Sequence, residues 1–243
     1  MTEVELFIPC FIDQLFPDTA FSTLKLLEKA GCSVAYNPDQ TCCGQPAYNG
    51  GYWDEAKTVG RKFLTDMNSH RYIVSPSASC VGMIKDGYND LFTNSVEHNT
   101  CRTIQQNIFE LSEFLVHVLK YEYFGAEMVG RAVYHDSCSA LRQCQIREEP
   151  RKLLAQVGGL EVVPMKDQET CCGFGGTFAV KFTEISAAMA EQKIQHALDV
   201  EAEYIISTDS SCLLQLDAYI QKHNIALKTM HLADVLVQGW ANI

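Results

Sequence analysis

Eight of the eleven cysteines in this chain form one pattern that occurs twice. In each copy a single cysteine is followed by a Cys-Cys-Gly triplet and then by another single cysteine. Corresponding members of the two copies lie 128, 129 and 132 positions apart. Four thiolates are the usual ligand set of an iron–sulfur cluster, so the pattern predicts two related redox-metal sites. The predicted ligands are Cys10, Cys42, Cys43 and Cys80 in the first copy, and Cys138, Cys171, Cys172 and Cys212 in the second.

Other interpretations of these thiols fit the pattern less well. Cysteines also serve as small buried hydrophobic residues, but core packing would not reproduce the same order twice. Zinc sites usually show paired C-x₂₋₄-C ligands, which neither copy contains, although zinc stays open as the competing metal. Adjacent cysteines fit poorly onto one metal ion and reach different irons of one cluster more easily.

The glycine-rich stretch Cys172–Gly176 could instead bind a phosphate group. It lacks the Lys-Ser/Thr that follows in a phosphate-binding P-loop, which disfavours nucleotide binding.

Three cysteines fall outside the repeat. Cys32 lies on a predicted strand, which favours core packing. Cys101 lies in a polar segment and is interpreted as an incidental thiol. Cys144 follows Cys138 by six residues, so a place near the second site is open for it.

His135 and Asp136 stand just before Cys138. A structural role is favoured for them. A hydrogen bond to the site is the second interpretation, and a general base is the third, because histidine titrates near neutrality.

Composition limits the class of protein. The chain has 243 residues, of which 47% are hydrophobic and 20% are charged, as in an ordinary globular protein. A net charge of −11 disfavours nucleic-acid binding. Apolar runs stay below the roughly 18–20 residues that span a bilayer, so we expect no integral membrane protein. The acidic start Met1–Glu5 has no cationic region typical of a signal peptide. We therefore expect a cytoplasmic protein whose clustered cysteines bind metal or react.

The repeat extends beyond the cysteines and predicts two homologous halves. Segments that match in the same order in both halves include Tyr72–Ser75 with Tyr204–Ser207, and Leu111–Leu115 with Leu232–Leu236. The predicted domains are residues 1–124 and 131–243, joined near Phe124–Arg131 by a short segment that contains Gly125 and Gly130.

Each half alternates predicted strands with predicted helices. This alternation indicates an α/β fold of two pseudo-repeated Rossmann-like halves, each with a small, mainly parallel sheet and flanking helices. Ligands of such sheets bind beyond the carboxyl ends of strands, where Cys10, Cys80, Cys138 and Cys212 fall. The predicted strands are Val4–Pro9, Ser33–Tyr36, Tyr72–Ser75, Ala132–Tyr134, Glu161–Val163, Tyr204–Ser207 and Ile225–Met230. The predicted helices are Thr19–Ala30 with Asp18 as N-cap and Gly31 at C′, Asp54–Asn68, one that starts near Pro150 and ends at Gly158, and Thr183–Leu198.

At these residues the sequence resembles the cysteine-rich, Cys-Cys-Gly domain family. That family includes the cysteine-rich chain of heterodisulfide reductase and the iron–sulfur chain of glycolate oxidase. The resemblance is strongest to the lactate-utilisation group within the family and covers essentially the whole chain. The stretches that carry it are Pro76–Val81, His135–Cys138, Cys171–Phe178 and Ser211–Leu213.

The chain departs from its relatives at three positions. Heterodisulfide reductases end each half with Cys-x-x-Cys, but Met83 and Gln215 stand where the last cysteine would be. The fifth ligand of an enlarged cluster is therefore missing in both halves, which favours the lactate-utilisation group. Ser139 replaces a histidine that is common after the cysteine matching Cys138.

The resemblance implies an iron–sulfur electron-transfer subunit of a multi-subunit L-lactate dehydrogenase complex. It implies one or two clusters of the 4Fe-4S type, with zinc or empty thiols in protein prepared in air. The implied partners are other iron–sulfur subunits, through which the chain would reach the membrane surface. Two alternatives stay open, namely a heterodisulfide-reductase-like thiol/disulfide redox protein and a non-catalytic metal or thiol sensor.

Overall fold

Two four-stranded sheets with the same topology form the frame of the molecule. The computed structural model describes residues 1–67 and 71–240. The first sheet has the strand order β2-β1-β3-β4 and the second has β6-β5-β7-β8, and all neighbouring strands are parallel. The predicted α/β fold of two pseudo-repeated halves is confirmed. The strands are β1 (Thr2–Leu6), β2 (Cys32–Tyr36), β3 (Tyr72–Ser75), β4 (Ile108–Glu110), β5 (Glu127–Tyr134), β6 (Gly158–Val162), β7 (Tyr204–Ser207) and β8 (Lys228–His231).

Helices connect the strands. In the described part of the chain, none is both long and apolar enough to cross a bilayer. The helices of the first half are α1 (Cys10–Leu15), α2 (Pro17–Lys29), α3 (Gln45–Asn49), α4 (Trp53–Asp66), α5 (Ala78–Gly82), α6 (Tyr88–Phe92), α7 (His98–Asn107) and α8 (Leu111–Glu113), with π-helical segments at Met83–Gly87 and Phe114–Leu119. Those of the second half are α9 (Cys138–Arg142), α10 (Glu149–Leu154), α11 (Thr177–Lys181), α12 (Thr183–Leu198), α13 (Ser210–Lys222) and α14 (Leu232–Leu236).

The strand order places two cysteines at the centre of one edge in each sheet. From β1 the chain moves outward to β2 and then returns to β3 on the other side, so a crevice opens between β1 and β3. Cys10 begins the helix after β1, and Cys80 lies in the helix after β3. In the second sheet Cys138 and Cys212 hold the same positions after β5 and β7.

The two halves share one hydrophobic core. Leu6 and Leu26 of the first half belong to the same buried cluster as Tyr134 and Leu154 of the second half. Residues 120–126 join the halves without helix or strand, and the division into domains 1–124 and 131–243 stays a prediction. Residues 241–243 of the second predicted domain lie outside the described residues.

Polar contacts also fix the halves against each other. The Ser79 backbone N–H donates to Oδ2 of Asp209 over 2.8 Å, and the other carboxylate oxygen of Asp209 caps the start of α13. Nδ1 of His231 accepts a hydrogen bond from the Ala233 N–H, so its Nε2 carries the proton and donates to the Pro76 carbonyl over 2.9 Å. One bridge reaches Ser79 within α5 and the other reaches Pro76 just before it, so together they position Cys80 relative to the second half.

Several predicted boundaries of the first half are corrected. The first strand ends at Leu6 instead of Pro9, although the Phe7 N–H still bonds the Val74 carbonyl. The helix predicted from Thr19 begins at Pro17, so Asp18 lies in its first turn and is not the N-cap. Gly31 follows this helix with a φ of +83°, as predicted. Asn68, the predicted end of the Asp54 helix, lies outside the described residues.

Other corrections fall mostly in the second half. Gly158 opens β6 and does not end α10, which stops at Leu154. Gly130 lies inside β5, at an irregularity of its pairing with β6, where a Cβ atom would come within 2.8 Å of the Tyr204 ring. The last strand starts at Lys228 instead of Ile225. In the first half β4 has no counterpart among the predicted strands.

Candidate metal centres

The first set of four thiols converges at the carboxyl edge of the first sheet. The thiols lie close enough to shift one another's pKa values, Cys10 with Cys42, Cys42 with Cys43, and Cys43 with Cys80. Cys10 is exposed and Cys42 half-buried, whereas Cys43 and Cys80 are buried. The set therefore has an inner pair of thiols against the core and an outer pair toward solvent. We call it the first centre.

The second set repeats this arrangement. The pKa values again depend on the neighbouring thiols, Cys138 with Cys171, Cys171 with Cys172, and Cys172 with Cys212. Cys138 and Cys171 are half-buried, and Cys172 and Cys212 are buried. We call this set the second centre. The structure brings together all eight cysteines that the sequence predicts as ligands, four in each centre, and their role as ligands stays a prediction.

A glycine shapes each triplet loop. Gly44 and Gly173 have φ angles of +86° and +93°, and their backbone N–H groups donate to the sulfurs of Cys42 and Cys171, each over 3.4 Å. A Cβ atom at Gly173 would lie 2.5 Å from the carbonyl oxygen of Ser186. Only glycine allows this loop to turn its N–H onto the sulfur while it packs against the following helix.

Within each centre the pKa values of the thiols differ strongly from one another. Hydrogen bonds from Cys10 and Cys43 lower the pKa of Cys42 to about 3, and hydrogen bonds from Cys138 and Cys172 lower that of Cys171 to about 2. The same bond to Cys42, together with burial, raises the pKa of Cys10. In each metal-free set the first cysteine of the triplet is therefore the thiol whose pKa is lowered by its neighbours. Metal binding would replace the remaining protons.

His135 faces the second centre from the core side. It is fully buried, and neither ring nitrogen has a hydrogen-bond partner among the described residues. A ring nitrogen and the sulfurs of Cys172 and Cys212 all lie within 4.8 Å of one another. Burial lowers the pKa of His135 to about 3, so its imidazole is neutral. The hydrogen-bond interpretation of His135 fits this position, whereas the general-base interpretation lacks a route to solvent.

Lys193 of α12 lies behind the same centre and has no counterpart in the sequence predictions. It is 1% exposed, and its ammonium donates to the carbonyl oxygens of Asp167 and Gln168 over 2.7 and 3.0 Å. Burial lowers its pKa to about 8. Its position in the helix could have predicted its burial, because Ala190, Ile194 and Ala197 around it are all buried. A lysine among buried helix positions is rarely left without a polar neighbour.

The remaining candidates take clear positions. Cys32 packs in the core, as expected. Cys101 also packs in the core, is 2% exposed and lies outside both sets, which agrees with its interpretation as an incidental thiol. Cys144 lies in the core cluster that contains Cys43 and Cys80, with its thiol directed at the Ala78 carbonyl 3.5 Å away. It therefore packs against the first half and is not a member of the second set.

The structure also gives the burial and contacts of Asp136 and of the three residues at which the chain departs from its relatives. Asp136 is 2% exposed and forms a two-point ion pair with Arg151, with distances of 2.9 and 2.6 Å. Ser139 lies buried near the start of α9. Met83 is buried, whereas Nε2 of Gln215 donates to Oγ of Ser186 over 2.8 Å.

The two centres lie near each other at the interface of the halves. The ring of Phe11, next to Cys10, contacts that of Phe174 in the second triplet loop, with centroids 5.7 Å apart. Helix α5, which carries Cys80, packs against α9, which carries Cys138. A cavity of about 660 Å³ borders the second centre, and Arg142, Arg147 and Cys171 contribute to its lining.

The fold and the two thiol sets define a duplicated, cysteine-rich α/β protein. The model of the cysteine-rich domain (CCG) matches residues 4–85 and 132–217, one copy in each half. The chain belongs to this family. It is 41% identical over 235 residues to Lactate utilization protein A of Geobacillus sp. (strain WCH70), an alignment that covers 96% of this chain and 98% of that protein.

A second relative has the same name, and a solved structure has a similar fold. Lactate utilization protein A of Exiguobacterium sp. (strain ATCC BAA-1283 / AT1b) is 40% identical over 242 residues, with 98% of each chain covered. Among solved structures, a hypothetical protein from Helicobacter pylori matches 99% of this chain with a TM-score of 0.66 at 14% identity. The chain spans 50% of that protein, and the likeness supports the fold alone.

The residues present fit a metal centre. Each set offers four convergent sulfurs, which is the donor number of a cubane iron–sulfur cluster. Backbone N–H groups already point at one sulfur in each set, as they would toward the anionic sulfur of a bound cluster. At the second centre the unpaired nitrogens of His135 supply a further polar group directed at the same sulfurs.

Proposed function

We propose that this chain is the iron–sulfur electron-transfer subunit of a multi-subunit complex that oxidises L-lactate to pyruvate. The observation that carries the proposal is the pair of matching four-thiol centres. They occur in a chain that is 37–41% identical, over nearly its whole length, to proteins named for lactate utilisation. Each predicted domain, 1–124 and 131–243, holds one centre.

The residues of this chain would bind and position the clusters. The four cysteines of each centre are the ligands, and the N–H groups of Gly44 and Gly173 stabilise negative charge on sulfur. Each bound 4Fe-4S cluster would supply a site for one electron, so two centres match the two electrons that lactate oxidation releases. The exposed side of Cys10 and the half-buried Cys138 give each centre an outer face for electron exchange.

The proposal also covers the partners of the protein and its location in the cell. Other iron–sulfur subunits deliver or receive the electrons, and the complex works in the cytoplasm, where it reaches the membrane surface through its partners. The acidic chain, with its net charge of −11, would be complementary to basic surfaces on those partners.

A thiol–disulfide redox activity is the second candidate. It is favoured by one observation, that the half-buried Cys42 and Cys171 each stand beside a buried thiol, Cys43 or Cys172, which lowers the pKa of the half-buried one. Low-pKa thiols that reach solvent are typical of reactive cysteines. This candidate requires turnover of disulfide substrates by the metal-free protein.

Iron and acid-labile sulfide in anaerobically purified protein test the first proposal. We expect visible absorption that bleaches on reduction. The Cys43→Ser and Cys172→Ser variants should each lose about half of the iron, since each removes an inner ligand of one centre. Cys101→Ser is the matched control, because it alters a buried thiol outside both sets and should keep the full content. Colourless anaerobic protein with stoichiometric zinc would refute the proposal, and disulfide turnover without metal would favour the second candidate.

The link to lactate is tested in cells. Deletion of the gene should abolish growth on L-lactate, and wild-type protein but not the Cys172→Ser variant should restore it. Unchanged growth on lactate together with an altered regulatory response would instead favour a metal or thiol sensor.

A further inference from the structure

Equivalent residues of the two centres can be matched one by one. Phe7 follows β1 and its N–H donates to the Val74 carbonyl over 2.9 Å, while His135 follows β5 and its N–H donates to the Ile206 carbonyl over 2.8 Å. Each stands three residues before the first cysteine of its set. Phe7 and His135 therefore occupy the same position, behind the first and second centres.

The helix after each triplet supplies a second matched position. The order of buried and exposed residues over 51–65 is repeated without change over 181–195, so α4 and α12 are in register. Phe63 and Lys193 correspond in that register, and each is 1% exposed. In the first half the rings of Phe7 and Phe63 pack edge to face, 4.8 Å apart. In the second half His135 and Lys193 replace this aromatic pair.

At two more matched positions an apolar residue of the first half corresponds to a polar residue of the second half. Ala56 of α4 corresponds to Ser186 of α12, whose hydroxyl donates to the Gly173 carbonyl over 2.8 Å. Met83 corresponds to Gln215, because each stands three residues after the last cysteine of its set, and Gln215 bonds the same Ser186 hydroxyl. Four positions behind the first centre are therefore apolar, while their counterparts behind the second centre are polar.

Support of the loop before the second triplet does not by itself explain why Lys193 is buried. In the first half Lys62, at 45% side-chain exposure, donates to the Asp39 carbonyl over 2.8 Å and so contacts the loop before its triplet from the surface. The loop before the second triplet is instead bonded by the buried Lys193, which interacts electrostatically with Cys171 and Cys172. His135 likewise makes no side-chain hydrogen bond within the described protein, which leaves the centre as the acceptor for its N–H.

We propose that His135 and Lys193 make the second centre the more readily reduced of the two, so that electrons arriving at the first centre pass to the second. Hydrogen bonds to cluster sulfur and nearby positive charge both favour the reduced, more negative state, and so they raise the reduction potential. This inference rests on the proposed function, because it needs a cluster in each centre.

Reductive titration of the anaerobic full-length chain, followed by electron paramagnetic resonance, tests this order. Cys43→Ser and Cys172→Ser assign the two signals. His135→Phe should lower the potential of the second centre by about tenfold in the reduction equilibrium, or about 59 mV for one electron. Lys193→Met should shift it in the same direction. Phe7→His is the matched variant in the first half, and it should raise the potential of the first centre.

A second readout reports on His135 directly. In protein with ¹⁵N-labelled histidine, pulsed resonance of the reduced second centre should show a nitrogen coupling that His135→Phe removes. Iron content and circular dichroism of each variant show whether the fold and both clusters persist. Where His135→Phe fails to assemble its cluster, Lys193→Met together with Phe7→His decides the outcome.

The outcomes separate this inference from the function. Absence of clusters from the wild-type chain would refute both. Two clusters of equal potential, or a second centre of lower potential than the first, would refute only the inference. Unchanged potentials in His135→Phe and Lys193→Met would do the same.

Discussion

Replacement of Gly173 by alanine tests the geometry of the triplet loops. The new Cβ atom would lie 2.5 Å from the Ser186 carbonyl oxygen and 3.1 Å from Cβ of Met189, at a φ of +93°. A left-handed conformation costs a residue other than glycine about 1–2 kcal/mol, and overpacking against the helix adds about 1–3 kcal/mol. We therefore expect the free energy of unfolding to fall by about 2–5 kcal/mol, a large part of the roughly 5–15 kcal/mol typical of a domain.

Two other glycines provide graded controls. Gly44 has nearly the same φ, but its Cβ atom would meet the Ala56 carbonyl oxygen at 3.1 Å. Gly31, at the opposite edge of the first sheet, has a φ of +83° and no atom within 4 Å of the new carbon. Urea unfolding of the metal-free protein should rank the losses as Gly173→Ala, then Gly44→Ala, then Gly31→Ala. The reasoning is refuted if Gly173→Ala destabilises the protein no more than Gly31→Ala.

Two further predictions concern buried ionisable groups. Arg151→Met should cost about 3–5 kcal/mol in urea unfolding, because it leaves the carboxylate of Asp136 buried without its partner, and the double variant with Asp136→Asn should recover part of the loss. Equal losses in the single and double variants would contradict this. Burial raises the pKa of Glu110 from 4.5 to about 8, so the unfolded state loses this proton first. Stability should therefore fall between pH 4.5 and 8 by up to about 1.4 kcal/mol per pH unit. Glu110→Gln should flatten this slope in urea unfolding, and an unchanged slope would contradict the assignment.

Local sequence contrast explains which elements could be predicted. The strands Tyr72–Ser75 and Tyr204–Ser207 and the helix Thr183–Leu198 have the predicted bounds, because apolar runs and helix-forming composition change sharply at their ends. The strand Ile108–Glu110 has only three residues, and one of them, Glu110, carries a completely buried carboxyl group. Glu110 is tolerated there because it also caps the next helix through the Ser112 N–H, a role that sequence patterns do not reveal.

Gly158 shows how one residue type supports two interpretations. A glycine after a helical stretch is typical of a helix end, and Pro150 correctly marks the start of that helix. The chain leaves the helix already at Leu154, and Gly158 instead pairs with Glu127 at the first position of a strand. The sheet partner that decides between the two interpretations is about 30 residues away in sequence, so no local pattern contains it.

The candidate centres were predictable because their order of cysteines is repeated, whereas the difference between them was not. Phe63 and Lys193 have no similarity as residues, and only the shared register of their helices shows that they occupy one position. The sequence places His135 three residues before Cys138, but the lack of partners for its ring among the described residues depends on the packing of the second half.

The shared core determines how the two centres can be studied separately. Leu6 and Leu26 pack in one cluster with Tyr134 and Leu154, so a chain cut within residues 120–126 would expose apolar surface on both pieces. Asp209 and His231 would also lose the backbone partners that they bind across the halves. A change in potential measured on an isolated half would therefore mix loss of packing with loss of the neighbouring centre. Single exchanges between matched positions in the intact chain avoid this, because the strand order, the left-handed triplet glycines and the register of α4 and α12 are already shared by the two halves.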